Sequence, residues 1–198
     1  GLAIATRPDC LPDDVIEYLA ELNERTYLWV ELGLQSIHAK TSDLINRAHD
    51  MDCFVQGVDK LRQHNINVCA HIINGLPLET PEMMMETAQA CAGLDLQGIK
   101  IHLLHLLKNT AMVQQYEDGL LQLLEKDEYV KIVCDQLEIL PPEMIIHRLT
   151  GDGPPKLLIG SEWSLKKWEV LNAIDWELEA RGSYQGKHYA PAPTSVDA

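Results

Sequence analysis

Apolar, strand-forming runs recur along the chain at Leu2–Thr6, Leu28–Leu34, Asn67–Ile73, Gly98–Leu104 and Met144–Leu149, and segments of helical period separate them. Strands alternating with helices make βαβ units, and βαβ units make a parallel sheet, so the fold class is α/β. The runs are largely apolar on both faces, as strands covered by helices require. Five strands in this order close in one of two ways, as an open doubly wound sheet or as part of a (β/α) barrel. In both, residues just past the C-terminal end of each strand line the ligand face.

Local signals place the helices. Pro12 at a first-turn position and Asp13-Asp14 at the positive end predict a helix over 12–25. Thr41-Ser42-Asp43 begins a short helix reaching Arg47, and Phe54, Val58 and Leu61 recur at helical spacing over 51–64. Thr80, Pro81 and Glu82 form a helix start for 80–94. Further helices are predicted over 111–124, 127–140 and 164–178, the last capped by Ser164, and the tail after Arg181 is expected to fray.

Composition narrows the function. The 198 residues suffice for one sizeable core. A formal net charge of −14 disfavours nonspecific binding to nucleic acid, where phosphates require lysine and arginine, although a local basic pocket stays open. The five cysteines are scattered and odd in number, with no CxxC spacing, which fits reduced thiols rather than a secreted disulfide framework or a metal site. No apolar run is long enough to span a bilayer and no basic-then-apolar leader opens the chain, so a cytoplasmic location with no membrane partner is expected.

The rule about strand ends turns the sequence into candidates. "TRPD" puts Arg7 and Asp9 at one strand end, either bracing a turn or meeting a ligand. Gln35 and Ser36 end the next strand, with Arg47 twelve residues after the glutamine. In "HIINGLPLET", His71 lies inside an apolar run, and Asn74 and Gly75 begin a sharp turn where glycine permits close approach or a positive φ. "KIHLLHLLKNT" offers His102, Leu104, His105, Leu107 and Lys108; the two histidines, three apart on a strand, would point to opposite faces and could not chelate together. "HRLTGDGPPK" offers His147, Arg148, Asp152 and Lys156 around a glycine loop whose N–H groups could cradle an anion, without the lysine ending of a nucleotide-binding P-loop. No residue stands out as catalytic by spacing alone.

Five segments in register resemble one family: "TRPDCLPDDV", "WVELGLQSIHAKTSDLINRAHD", "HIINGLPLET", "KIHLLHLLKNT" and "HRLTGDGPPKLLIGSEWSLKKWEVLNAI". They are similar to the YhcC/YtqA group of radical S-adenosylmethionine (SAM) proteins, related to the Elongator catalytic subunit and to oxygen-independent coproporphyrinogen oxidase. The resemblance implies a partial (β/α) barrel of the radical SAM type, with SAM and a 4Fe-4S cluster as cofactors. It also implies truncation at the N-terminus. Gly1 matches a point well inside the family barrel, and no three-cysteine cluster loop exists among residues 1–198. The expectation is therefore the C-terminal portion of a protein of about 300 residues, inactive alone, with the cluster ligands in the missing part and no metal ligand in this chain.

By the same resemblance, Gln35, Ser36, Arg47, His71, Asn74, Gly75, Leu104 and Leu107 face SAM. Arg47 would clamp its carboxylate with the guanidinium fork, Gln35 would bond the methionine or ribose end, and Leu104–Leu107 would pass near the adenine. His71 stands where relatives carry a ribose-binding Asp, and Ala5 where Elongator-like relatives carry a Glu. Arg7, Asp9, His105, Lys108, His147, Arg148 and Asp152 would meet the substrate. The chain divides into barrel (1–140), final strand, glycine loop and C-terminal helix (141–184), and a disordered tail (185–198).

The function so implied is a radical SAM oxidoreductase generating a 5′-deoxyadenosyl radical and modifying a wobble-uridine side chain in tRNA. Its partners would be tRNA, an electron donor such as flavodoxin or ferredoxin, and a second copy paired through the barrel edge at Leu2–Thr6. Two other readings stand beside it: a noncatalytic α/β interaction module using acidic helices, and a conventional TIM-barrel hydrolase using Asp9, His147 and Asp152.

Overall fold

In the computed structural model, which describes residues 1–151 and 153–191, all five apolar runs are strands of one sheet. They are β1 (Leu2–Thr6), β2 (Leu28–Gln35), β3 (Asn67–Asn74), β4 (Gly98–Leu103) and β5 (Ile145–Arg148). Every neighbouring pair is parallel and the spatial order is β1-β2-β3-β4-β5. A doubly wound sheet needs a point where strand order reverses; this sheet has none. Right-handed crossovers between sequential strands put the helices on one face and leave the other as the inner wall of a barrel segment.

The two faces differ in chemistry. Toward the helices, Leu28, Val30, Leu32 and Leu34 of β2, Val68 and Ala70 of β3, and Ile99 and Ile101 of β4 are all 0% exposed. Burying one such side chain contributes about 1.5–3 kcal/mol. The intervening positions, including Glu31, His71, Lys100 and His102, point to the inner face.

The helices are α1 (Asp13–Arg25), α2 (Ala39–Leu44), α3 (Met51–Gln63), α4 (Pro81–Ala92), α5 (Met112–Glu117), α6 (Lys126–Ile139) and α7 (Lys167–Ala180). Thr80 caps α4 as expected, its hydroxyl accepting from the Met83 N–H. Asp50 caps α3, and Glu125 and Glu128 form a reciprocal capping box on α6. Pro12 is the cap of α1, one place before its first residue.

Four expectations are corrected. The short helix α2 ends at Leu44, and Asn46 turns the chain at φ 54°, so Arg47 follows a turn rather than closing a helix. The helix predicted over 111–124 is only α5, because Gly119 at φ 74° breaks it. Ser164 is a buried residue in a 3-10 turn (Glu162–Leu165), not a cap, and α7 starts after it. Finally, residues 185–189 dock instead of fraying: the Gln185 amide donates to Pro141 O and Met144 O, and Gly186 N and His188 N donate to Leu137 O and Glu138 O.

Candidate functional site

The C-terminal end of β2 is built by an irregularity. Gln35 adopts φ 59°, a left-handed conformation uncommon for a side chain of its size, and the ladder to β3 slips between Gly33 and Gln35. The slip folds the Gln35 amide over Gly33: a Cβ on Gly33 would stand 2.3 Å from Gln35 Nε2. Glycine here is the space the amide occupies, and strain of this kind collects at ligand sites.

The surrounding residues hold that turn. Ser36 is fully buried; its hydroxyl donates to Glu79 Oε1 and accepts from His38 N at 3.1 Å. Burial raises the Glu79 carboxyl above the ordinary carboxylate range, against the hydrogen bonds from Ser36 and Thr41. Arg47 donates from Nε to His49 O at 2.8 Å and from Nη1 to Leu34 O and to Ser36 O. Its guanidinium therefore staples the strand end. With Nε and Nη1 committed, the two-nitrogen fork expected to grip a carboxylate is not available; Nη2 remains. His49 donates from Nε2 to Gly33 O at 2.9 Å, which fixes the neutral tautomer, and burial lowers its pKa.

A second group of polar residues lies on the inner face. The register aligns Gly33, His71, Lys100 and Arg148 in one row across four strands, with Glu31, Cys69 and Gly98 in the row below. Glu31 Oε2 accepts from His71 Nε2 at 2.9 Å and from Lys100 Nζ at 2.5 Å. Burial opposes the Glu31 charge, yet Lys100 and His71 outweigh it and hold the carboxyl below its ordinary range. His102 tilts against His71 with ring centroids 5.2 Å apart. Burial first, then the neighbouring His71, Arg148 and Lys100, push His102 down to about 4. Its buried Nε2 has no hydrogen-bond partner among the described residues.

The remaining candidates fall around these two groups. Arg7 and Asp9 form an exposed two-bond pair at the end of β1, so the local brace is real, and Arg7 lowers the Asp9 pKa. His147 packs its ring edge on Trp29 at 4.3 Å, low on the inner face. Asp9 and His147 thus belong to opposite edges of the sheet and share no site, and Asp152 lies outside the described residues. That removes the geometric basis of the hydrolase reading. Asn74 faces the helix layer, where its amide exchanges two bonds with Gln136 at 2.8 and 2.9 Å, rather than the ligand side. Gly75 takes φ 86°, packed against Leu124 and Leu104. Leu104 belongs to a small apolar cluster with Leu76, Leu106 and Leu121, and Leu107 forms a bridge to Leu158. Lys108 is exposed. Because β4 ends at Leu103, His102 and His105 are not opposed on one strand; both lie beside Gly151, His105 also meets Gly153, and His105 Nε2 lies 3.2 Å from Ser164 Oγ.

Glu31, Lys100 and Glu79 were not among the candidates. The first two carry a readable signal, a charge at an alternate position inside an otherwise apolar parallel strand ("WVELGL", "GIKIHL").

The donor set tests what these residues could bind. Gln35, projecting from a strained strand end at the ligand face, fits the polar end of a small organic cofactor. An iron–sulfur cluster does not fit the described residues: none of them form a group of three His, Cys, Asp or Glu able to hold a metal. Burial pushes the thiols of Cys69, Cys91 and Cys134 up to about 12, so they are protonated rather than thiolate ligands.

Comparison with known proteins adds four findings. The family model described as the Radical SAM superfamily matches residues 1–91, and the Radical SAM C-terminal domain matches residues 96–180. The chain is 71% identical over 189 residues to protein YtqA of Bacillus subtilis, covering 96% of this chain and 59% of YtqA. It is 25% identical over 161 residues to the tRNA uridine(34) acetyltransferase of Dehalococcoides mccartyi, covering 78% of this chain and 34% of that protein. Among solved structures, Elp3 of the archaeon Methanocaldococcus infernus, with an N-terminal deletion, shares the fold at a TM-score of 0.80 and 20% identity, over 93% of this chain and 43% of that one.

Proposed function

This chain belongs to the radical SAM superfamily, and from that premise we propose that it forms the SAM-facing and substrate-facing wall of a radical enzyme's barrel. When bound, SAM and a 4Fe-4S cluster together supply a 5′-deoxyadenosyl radical that takes a hydrogen atom from substrate. The cluster ligands in this reading come from outside the described residues.

The observation that carries the proposal is the Gln35 turn: a left-handed glutamine whose amide lies over a glycine at the ligand face of a parallel strand. Its amide offers both a donor and an acceptor, suited to the amino-acid or ribose end of SAM. Arg47, Ser36 and Glu79 hold the turn in place, and Arg47 Nη2 is the one nitrogen of that guanidinium left for the SAM carboxylate. In this reading Leu104, packed with Leu76, Leu106 and Leu121, and Leu107, bridged to Leu158, would lie on the adenine side and exclude water there.

The proposed substrate is the side chain of a wobble uridine in tRNA. The name of the Dehalococcoides relative supports that class. A net charge of −14 restricts the RNA contact from this chain to the inner face and its rim, where Lys100, Lys108 and Arg148 sit. An electron donor such as flavodoxin or ferredoxin, and association through the open edge of β1, complete the reading.

The test is anaerobic reconstitution of the full-length protein with iron and sulfide, followed by SAM and a chemical reductant. The proposal expects 5′-deoxyadenosine to accumulate. A protein that takes up iron and sulfide yet forms no 5′-deoxyadenosine contradicts it.

A further inference from the structure

The inner face carries a charge pattern that neither the Gln35 turn nor the fold explains. Lys100 and Arg148 are register partners on β4 and β5, two cations side by side. One carboxylate, Glu31, lies within bonding reach of Lys100, and it is shared with His71. Arg148 is exposed and makes no ion pair among the described residues. Its charge is nevertheless felt by both His71 and His102, which places it over the same cluster. Burial keeps His71, His102 and His147 below the ordinary histidine pKa, so at neutral pH they add no charge. Among the described residues two cations thus face one carboxylate, on the inner wall of a chain whose net charge is −14.

Such a surplus is not needed for stability. Glu31 already pairs with Lys100, and Arg148, exposed and in no ion pair among the described residues, can turn its guanidinium to an incoming anion. The buried, partnerless Nε2 of His102 is a further vacant hydrogen-bonding position on the same wall. Gly151 lies against the His102 and His105 rings and Gly153 against His105, at the rim of the cluster. A cation pair and a partnerless imidazole nitrogen on one wall together suit an anionic group.

We propose that Lys100, Arg148 and His102 bind an anionic group of the substrate, a carboxylate or a phosphate, on the inner wall of the barrel. This rests on the reading of that wall as the substrate face. Strands lie about 4.8 Å apart, so the cation pair stands roughly 10–15 Å from the Gln35 strand. A small molecule or one nucleotide spans that distance, which lets the anionic end anchor while another part reaches the cofactor end. Glu31 tempers the site: it orients Lys100 and His71, and its charge weakens anion binding.

The experiment titrates the full-length protein, without iron or SAM, with sodium phosphate and separately with sodium acetate at constant ionic strength. The readout is the ring-nitrogen signals of the histidines by NMR. Saturable shifts at His102 with phosphate assign a phosphate site; with acetate, a carboxylate site; with both, a general anion pocket. Arg148→Gln, an exposed change that leaves folding intact, should weaken binding about tenfold, as loss of a charged hydrogen bond does. Lys100→Gln should weaken it further where thermal unfolding shows the variant folded. Glu31→Gln should tighten it. Absence of any saturable shift, unchanged affinity in Arg148→Gln, or weaker binding in Glu31→Gln each overturns the proposal. Since neither cofactor is present, these outcomes are independent of whether 5′-deoxyadenosine forms.

Discussion

His102 shows how far a single environment can move a side chain. Its ring sits against His71, under two cations and out of water, and its pKa falls from 6.5 to about 4. A histidine held neutral in the folded state takes up protons more readily when unfolded. Its contribution to stability is thus complete above about pH 6.5 and is lost as pH falls toward 4, by about 3 kcal/mol at most. The depressed Glu31 acts in the same direction at lower pH, below the ordinary glutamate range. Urea unfolding of wild type and His102→Asn between pH 7 and pH 4.5 separates the two: wild type should lose stability across that interval and the variant should lose distinctly less. Parallel curves would remove His102 as the cause. At this scale the sequence was only partly legible. His71, His147 and Arg148 stand out by type at strand ends, whereas Glu31 and Lys100 become a site only when register puts them beside His71. Asn74 went the other way, because one position of strand alternation turns its amide into the helix layer against Gln136.

Among the elements, the end of β2 is the one whose construction matters most. Arg47 arrives after a turn and its committed nitrogens all bond backbone: Leu34, Ser36 and His49 carbonyls. Arg47→Ala leaves the buried Ser36 and His49 carbonyls without that donor, while Leu34 O keeps the Ser36 N–H, and should cost about 2–4 kcal/mol of stability. Arg47→Lys, which restores charge but not the planar fork, should recover only a minor part. Equal denaturant midpoints for wild type and Arg47→Ala would show that the staple is unimportant. Strand positions and helix starts were readable because period, proline and capping residues are local; Thr80 on α4 is an example. The end of α5 and the start of α7 were not, because they depend on Gly119 taking a positive φ and on Ser164 being drawn into a buried contact with His105. Helical period continues through both places, so pattern alone cannot locate the breaks.

For the whole molecule, the decisive fact is strand order. Sequential parallel strands give one wall of apolar packing and one wall of polar chemistry, and the sequence left open which closure would produce them. None of the helices is long and apolar enough to cross a membrane, among the described residues. Among the described residues β1 pairs with β2 alone, which leaves its outer edge unpaired there, in a chain that spans 59% of the length of YtqA. The central claim is that SAM is held at the top of this wall, at the Gln35 turn. Calorimetric titration of SAM into reconstituted full-length protein, wild type against Gln35→Ala, tests it most directly. The account predicts saturable binding to wild type and an affinity about tenfold lower for the variant, with unfolding curves that show both folded. Equal affinities for the two proteins would contradict it.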